Sequence, residues 1–387
     1  MNLKKYIINI ILIFVTIMCF GLSIGYCNEL KRPEKVTNFY LDNKDYNLSI
    51  IKDYIDNENN ILGCTAWKQI DDTVLINEET NREAIVDVIK IYGNSYNIIE
   101  GDKIFLGDVE GCLVDKEAAY NLFGGTNVIG NTIKYENREL TIRGIHNGVK
   151  NTVVMQFDNN EDELLDGISV NSEKSAENIS TILSIKNNGV SNELYTGCAS
   201  FFMNLLPIIM LIISLYKILK AAFSRRKMPV KCMLYILIAL ISTVVLVRIS
   251  GINISIPYEI IPNKWSDFTY WSQLFEVYKE QIQSVLYMKK YNIDIYYIEL
   301  AVKSIFYSII SLITFIIFIR RMNIETIREV VRVIILIIII EAIVIYRVNV
   351  SNNMLLGGTI IWALYPYFIL INNYKIIGRR VLTYFDL

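Results

Sequence analysis

The strongest constraint on the fold is the contrast between long apolar runs and one long polar, turn-rich stretch after the first of them. Six runs approach the roughly 20 residues that a membrane-spanning helix needs, namely Tyr6–Gly25, Ala199–Leu219, Met233–Val247, Leu300–Ile319, Val330–Tyr346 and Met354–Ile371. Hydrophobic residues form 53% of the chain and the mean hydropathy is +0.35, which excludes an ordinary soluble protein. The sequence therefore predicts a helical membrane part with a folded, water-facing insertion.

Basic residues predict the orientation of these six spans. They precede the first span, fill the second–third and fourth–fifth links, and follow the sixth, at Lys4, Lys5, Lys217, Lys220, Arg225, Arg226, Lys227, Lys231, Arg320, Arg321, Arg328, Arg332, Lys375, Arg379 and Arg380. All lie on one side if every run crosses, and that side is expected to be cytoplasmic. We expect a multi-pass protein of the cell membrane, in contact with lipid, with both termini cytoplasmic.

Composition divides the chain into five expected parts. These are an N-terminal transmembrane anchor at 1–27, an extracytoplasmic α+β domain at 28–197, the second and third spans at 198–250, an extracytoplasmic aromatic-rich loop with an amphipathic helix at 251–298, and the fourth to sixth spans with a cytoplasmic tail at 299–387. The first run also resembles a signal peptide, but its length and the poor lipoprotein site before Cys27 favour an uncleaved anchor.

The insertion alternates between strand and helix patterns. Residues 28–60 are polar and are expected to form a helix leading away from the membrane. Asp115–Phe123 has helical spacing and is followed by a Gly pair typical of a helix end. The remaining segments are rich in β-branched residues and predict strands, with a hairpin around Glu136-Asn137-Arg138; they are Thr73–Asn77, Ile85–Tyr92, Thr132–Tyr135, Leu140–Ile145 and Val153–Phe157.

A specific order of motifs runs through this insertion. It consists of a Gly-Asp turn, a short strand, a helix that ends in Leu-Phe-Gly, then Ile-Gly, a hairpin and a final strand, with the key positions Gly107, Asp108, Leu122, Phe123, Gly124, Ile129 and Gly130. This order resembles the MacB-like periplasmic core domain of ABC-transporter permeases, including Gram-positive permeases of this type. The resemblance covers roughly residues 64–157. Such permeases commonly have four spans, whereas six are expected here.

The resemblance implies a permease-type component that transmits conformational change to an extracytoplasmic domain, for export or mechanotransmission. No G-x-x-x-x-G-K-[ST] loop is present, so a separate cytoplasmic ABC ATPase subunit would hydrolyse nucleotide. The expected contact with that subunit is a short surface helix formed by Ile324, Glu325, Thr326, Ile327 and Arg328, although these residues could equally serve only to set topology. A homodimer or paired permease would be usual for the family.

Few residues suggest chemistry. Cys64 and Cys112 both lie in the outside domain, where they form either a disulfide or two buried thiols. His146 is the only histidine and is expected in an exposed loop. Glu341 is an acid inside a span, and is either paired with Arg248 or simply neutral. The sequence therefore predicts no catalytic residue, no metal site and no cofactor, and a net charge of −1 gives no case for nucleic acid binding.

Two further classes compete with the permease. A membrane-anchored sensor or scaffold would display residues 28–197 as a ligand- or protein-binding domain, and the composition fits it as well. An integral-membrane enzyme is disfavoured, because no nucleophile–base pair is recognisable. The outside loop around Trp265–Trp271 is expected to lie at the membrane boundary, followed by an amphipathic helix at Gln273–Met288 beneath the large domain.

Overall fold

The computed structural model describes residues 3–31, 36–41, 46–56, 63–158, 162–171, 189–191, 193–224, 268–287, 289–322, 324–351 and 361–373, with isolated positions between 230 and 241. These residues form two compact units. The helical unit contains Met1–Lys31, Tyr195–Ile261 and Leu300–Leu387. The sheet unit contains Arg32–Leu194 and Pro262–Glu299.

The elements follow one another as α1 Leu3–Lys31, β1 Thr37–Tyr40, α2 Leu48–Ile55, β2 Cys64–Asn77, β3 Arg82–Gly93, β4 Glu100–Gly101, β5 Gly111–Val114, α3 Lys116–Phe123, β6 Thr132–Tyr135, β7 Arg138–Asn147, β8 Thr152–Gln156, β9 Gly167–Val170, β10 Gly189–Ser191, α4 Glu193–Ser224, α5 Phe268–Tyr287, α6 Asn292–Arg321, α7 Ile327–Ser351 and α8 Leu364–Asn372. Short 3₁₀ turns lie at Ser95–Asn97 and Ile361–Ala363.

The sheet unit contains a ring of six strands in the order β2-β3-β8-β5-β7-β6. Two pairs in the ring, β3 with β8 and β5 with β7, are parallel, and the others are antiparallel. The ring closes through a single antiparallel pairing of Ile76 in β2 with Lys134 in β6. The first half of β2 instead pairs with β9, which continues the sheet through β1 to β10.

Two hydrophobic clusters stabilise the sheet unit. The larger draws apolar side chains from all six strands of the ring and from α3. Helix α3 fits this position because Ala118, Ala119 and Leu122 share one face and are fully buried. The second cluster packs α2 against β1, β2 and β9, with Ile51 and Ile55 completely buried.

A buried cation is neutralised beside these clusters. Lys90 in β3 is 3% exposed at its side chain and its Nζ lies 2.7 Å from Glu163, which also binds Lys68 at 2.6 Å. Burial raises the pKa of the Glu163 carboxyl, but the hydrogen bonds from Lys68 and Lys90 outweigh that effect and leave the pKa below its usual value. The carboxylate therefore stays charged and compensates the buried lysine.

The predicted strands and helix of the insertion are confirmed, with Asp115 capping α3 through hydrogen bonds from Glu117 N and Ala118 N. The predicted hairpin is formed by β6 and β7. The expected helix over residues 28–60 is wrong: α1 ends at Lys31, and strand β1 and the short helix α2 follow. Strand β1 is only four residues long, too short for a periodic pattern to distinguish it from a helix.

Within the part of the chain that the structure describes, three helices are long and apolar enough to cross a bilayer, over Ile7–Lys31, Tyr195–Ser224 and Asn292–Arg321. The chain is accordingly a membrane protein. Polar side chains join these helices: Ser23 and Ser304 each donate to the other's carbonyl, at 2.9 and 3.0 Å. The predicted fifth span lies within α7, while the third and much of the sixth fall outside the described residues. Six crossings remain a prediction.

Candidate functional site at the start of helix α6

The segment that begins α6 is anchored on the sheet unit by an aromatic cluster. The ring of Tyr291 stacks on Tyr40 at 5.9 Å and 5°, and meets Trp67 edge-on at 4.9 Å. Tyr40 also contacts Trp67 edge-on at 6.1 Å. All three side chains are buried. Edge-to-face and offset-stacked rings of this kind add about 0.5–1.5 kcal/mol per pair beyond the burial of their surface.

Asp294 caps the first turn of α6 and ties it to β1. Its Oδ2 accepts a hydrogen bond from the backbone N–H of Tyr291 at 3.1 Å, the reciprocal half of a capping box. Its Oδ1 accepts the hydroxyl of Tyr40. The carboxyl group is 1% exposed. Since both of its oxygens are bonded, the buried acid has the partners that a polar group in this position needs.

A β-bulge in β2 provides the polar half of the anchor. The register between β2 and β3 shifts between Ile70 and Thr73, with Asp72 in a left-handed conformation at φ 52°. Asp87 accepts the N–H of Asp72 at 3.0 Å and the side-chain amide of Asn292 at 2.6 Å. Gln69 Oε1 accepts the backbone N–H of Asn292 at 2.9 Å. The bulge therefore aims two side chains at the helix start.

Trp67 is held in place by its own contacts. Its Nε1–H donates to Ser169 Oγ at 3.0 Å, and Ser169 donates to Asn38 at 2.8 Å. A Cβ atom at Gly167 would lie 2.4 Å from the indole, so only glycine leaves room for it. Asp166 accepts the Tyr291 hydroxyl at 3.2 Å. We call Tyr40, Trp67, Gln69, Asp87 and Asp166 together the α6 socket.

The α6 socket holds the start of helix α6 through several contacts of different kinds. Every group that contacts Tyr291, Asn292 or Asp294 in it is an aromatic ring, an amide, a hydroxyl or a hydrogen-bonded carboxylate. Among the described residues no cluster of three His, Cys, Asp or Glu side chains could hold a metal ion. The arrangement can fix the position and direction of a helix start, and its several contacts must be broken together to release it.

The segment predicted to couple to an ATPase has a different local structure from the one expected. Ile324 and Glu325 are not helical, and α7 starts at Ile327. Thr326 and Glu329 form a capping box: Glu329 N donates to Thr326 Oγ1 at 3.3 Å, and Glu329 Oε2 accepts Thr326 N at 3.4 Å. The short surface helix is therefore wrong, because this sequence caps a long helix instead. Arg328 is exposed on its first turn.

The residues that carried the sequence resemblance occupy turns and helix ends. Gly124 ends α3 with φ 74°, and its N–H donates to Tyr120 O at 2.7 Å. Leu122 is buried, and Phe123 packs against the larger hydrophobic cluster. Ile129 is 59% exposed. Gly107 and Gly130 have φ values of 95° and 91° in the turns before β5 and β6, and Asp108 binds Arg143 through two hydrogen bonds of 3.0 and 3.3 Å.

The possible disulfide is not formed. Cys64 and Cys112 are both free and completely buried, and they belong to different hydrophobic clusters. Burial raises the pKa of each thiol to about 12. Both therefore act as small apolar side chains.

His146 is also not where the sequence placed it. It lies in β7, 1% exposed, and its Nε2–H donates to Thr152 O at 3.0 Å. Burial lowers its pKa, so the neutral ring is favoured. The sequence suggested an exposed loop because Gly and Asn follow it, but strand β7 extends through Asn147.

The other expectations have mixed outcomes. Helix α5 confirms the predicted helix, on which Phe275, Val277 and Tyr287 are 50–85% exposed, and its position beneath the large domain remains a prediction. Glu341 is buried in α7, and its proposed partner Arg248 lies outside the described residues. Most of the loop before Phe268 lies outside them as well.

Comparison with known proteins finds structural but not sequence matches. No protein-family model and no curated protein matches the sequence. The structure is similar to the periplasmic region of MacB from Actinobacillus actinomycetemcomitans, with 14% identity and a TM-score of 0.31 over 40% of this chain and 86% of that one. It is also similar to the extracellular domain of the noncanonic ABC-type transporter YknZ from Gram-positive bacteria, with 13% identity and a TM-score of 0.29 over 40% and 97%. Both of these solved structures are outer domains of the kind that the sequence resembles.

Sequence reasoning missed the α6 socket entirely. Its members are spread from Tyr40 to Asp294, and contact between them depends on the pairing of β1, β9 and β2. One local signal was available. The order Asn292-Ile293-Asp294, a cap-type residue followed by an acid within the first turn, is typical of a helix start. It marks where α6 begins but not what it binds.

Proposed function

We propose that this protein is a permease-type component of an ABC-type transporter, which passes conformational change from a separate cytoplasmic ATPase to its extracytoplasmic domain. The observation that carries the proposal is the α6 socket. Helix α6 contributes Asn292–Glu299 to the sheet unit and its remaining residues to the helical unit. A helix fixed at its start by aromatic stacking, the Asp294 cap and two amide contacts is suited to transmit movement along its length.

Two sequence features support the same function. The order of motifs between Gly107 and Gly130 resembles MacB-like core domains, and the domain follows the first apolar helix as it does in such permeases. The chain has no nucleotide-binding loop of its own, so an ATPase partner is required. The cytoplasmic contact that we assign to it is Ile324–Arg328, where Glu325, Thr326 and Arg328 are exposed.

The test is purification of the full chain in mild detergent from its native membranes, with and without a charge reversal at Arg328. We expect an ATP-hydrolysing subunit to co-purify with the wild type and to be depleted with Arg328→Glu. Arg347→Glu, at the other end of α7 and also exposed, is the matched control and should retain the subunit. Absence of any ATPase from the wild-type preparation would contradict the transporter assignment and favour the sensor or scaffold.

The mechanical role has its own test. ATPase activity of the purified complex should persist when the α6 socket is weakened by Tyr291→Ala, whereas movement of the outside domain should no longer follow nucleotide. Distances between spin labels on the sheet unit and on α4 would report that movement. If nucleotide changes these distances equally in the wild type and in Tyr291→Ala, the socket is not the coupling element.

A further inference from the structure

Four segments of the helical unit bring buried polar side chains together away from the α6 socket. They are one turn of α1, one turn of α6, the middle of α7, and the 3₁₀ turn Ile361–Ala363 together with the first turn of α8. The side chains concerned are 0–5% exposed, and they are Thr16, Ser311, Glu341, Trp362 and Tyr365. We call these five residues the inner polar cluster.

Side-chain contacts place these segments against one another. Thr16 donates to Leu12 O at 2.7 Å and to Thr314 Oγ1 at 2.9 Å, which brings α1 to the turn of α6 that contains Ser311. Phe20 meets the ring of Trp362 edge-on at 5.4 Å. A Cβ atom at Gly21 would lie 2.9 Å from Val344, one turn along α7 from Glu341. Small residues of this kind allow close approach of apolar helices.

Tyr365 connects the fourth segment to the rest of the cluster. Its ring packs edge-on against Phe315 at 5.7 Å, one turn along α6 from Ser311, and it interacts electrostatically with Glu341. The five members therefore occupy adjacent turns of α1, α6, α7 and the segment Ile361–Asn372, within the helical unit alone.

Four polar atoms of this cluster are buried without a hydrogen-bond partner among the described residues. They are Ser311 Oγ, Glu341 Oε1, Trp362 Nε1 and Tyr365 Oη. Three of them can donate, namely the indole N–H and the hydroxyls of Ser311 and Tyr365, and the carboxylate and both hydroxyl oxygens can accept. Each buried polar atom without a partner is costly, so four together call for a ligand that both donates and accepts.

Water has that chemistry, since a buried molecule typically makes about three hydrogen bonds to such groups. A metal ion does not, because the indole N–H can only donate. An unpaired Glu341 carboxylate is also costly in apolar surroundings. Among the described residues, the turns that form the inner polar cluster carry no Lys or Arg to compensate it. The nearest arginines on α7, Arg332 and Arg347, lie about 13 and 9 Å away along the helix axis and are exposed.

We propose that the inner polar cluster is a hydrated protonation site, in which Glu341 binds and releases a proton through water held by Ser311, Trp362 and Tyr365. The step is the transfer of a proton from hydronium to the carboxylate, which yields a carboxylic acid and water. Two other titratable groups lie on the described turns of the inner polar cluster. They are Tyr365 itself and Cys19, which is partly exposed on α1. This site is independent of the proposed transporter function and of the α6 socket.

The experiment is infrared difference spectroscopy of the full chain in lipid nanodiscs between two pH values. A protonated carboxyl absorbs apart from a carboxylate, so a pH-dependent carboxyl band should be present in the wild type and absent in Glu341→Gln. Glu83→Gln is the matched control, because Glu83 is exposed on β3 and its loss should leave that band unchanged. A band that survives Glu341→Gln overturns the proposal.

Two milder variants keep the test decisive if Glu341→Gln does not fold. Trp362→Phe and Tyr365→Phe retain an aromatic ring and remove one hydrogen-bonding group each, so each should shift the frequency of the same band. Exchange into heavy water should shift it within minutes where water reaches the carboxyl. A band that neither variant moves, or that resists deuteration, shows a dry carboxyl without these partners and overturns the hydrated site.

Discussion

Replacement of Tyr291 by alanine tests the α6 socket most directly. The side chain is 7% exposed and contacts both Trp67 and Tyr40, so its removal takes away a buried ring and two aromatic pairs. Truncation of a buried aromatic residue to alanine costs about 3–5 kcal/mol. Tyr291→Phe removes only the hydroxyl that donates to Asp166, which should cost about 1 kcal/mol.

Hydrogen–deuterium exchange of the first turns of α6 measures this loss as local opening. Since every 1.4 kcal/mol is a tenfold change in an equilibrium constant, a loss of about 3 kcal/mol should speed exchange of the amides from Ile295 to Glu299 by on the order of a hundredfold. Tyr291→Phe should speed it about fivefold. Protection in the ring strands β3 and β8 should change little, because the larger cluster does not include Tyr291.

The matched control is Tyr287→Ala, four residues earlier in the same part of the chain. Tyr287 is 85% exposed, so its truncation should leave exchange in α6 within twofold of the wild type. Equal exchange in Tyr291→Ala and Tyr287→Ala would show that the aromatic cluster does not hold the helix start. The mechanical part of the proposed function would then lose its basis.

Three further predictions concern the sheet unit. Glu163→Gln should lower the free energy of unfolding by about 3 kcal/mol in a denaturant titration, because the buried Lys90 loses its counter-charge, whereas Glu83→Gln should have no effect. His146 is neutral when folded, so the stability it contributes is present above its unfolded pKa of about 6.5 and is lost as pH falls. Unfolding midpoints measured from pH 7 to 5 should decline less in His146→Gln, and an equal decline would contradict the buried neutral ring. Cys64 and Cys112 should react with a maleimide only after denaturation, and reductant should not change their accessibility; fast labelling of the native protein would show that they are not buried.

Sequence patterns predicted those parts of the fold in which neighbouring residues carry the signal. Helix α3 was predictable because Asp115 and Gly124 mark its two ends, and the β6–β7 hairpin because two alternating segments flank a short polar turn. Apolar runs likewise identified the helices that are long enough to span a membrane. Each of these features is set by spacing within about 20 residues.

Features that depend on distant pairing could not be predicted in the same way. Strands β1, β9 and β10 are three or four residues long, and they are fixed by one another and by β2 rather than by their own composition. His146 is buried where β4 pairs beside it and the Thr152 carbonyl of β8 accepts a hydrogen bond from its ring, which no local pattern records. The α6 socket could not be predicted for the same reason, since it needs the bulge in β2 and a segment about 200 residues later in the chain.

Closure of the six-strand ring through Ile76 and Lys134 alone gives the domain one weak seam. Every other junction of the ring is a ladder of several paired residues, whereas here the neighbouring side chains Lys134 and Glu78 add only an exposed ion pair. Thermal fluctuation should therefore separate β6 from β2 before any other strand pair of the ring. The ring would open between these two strands while its other strands stay paired.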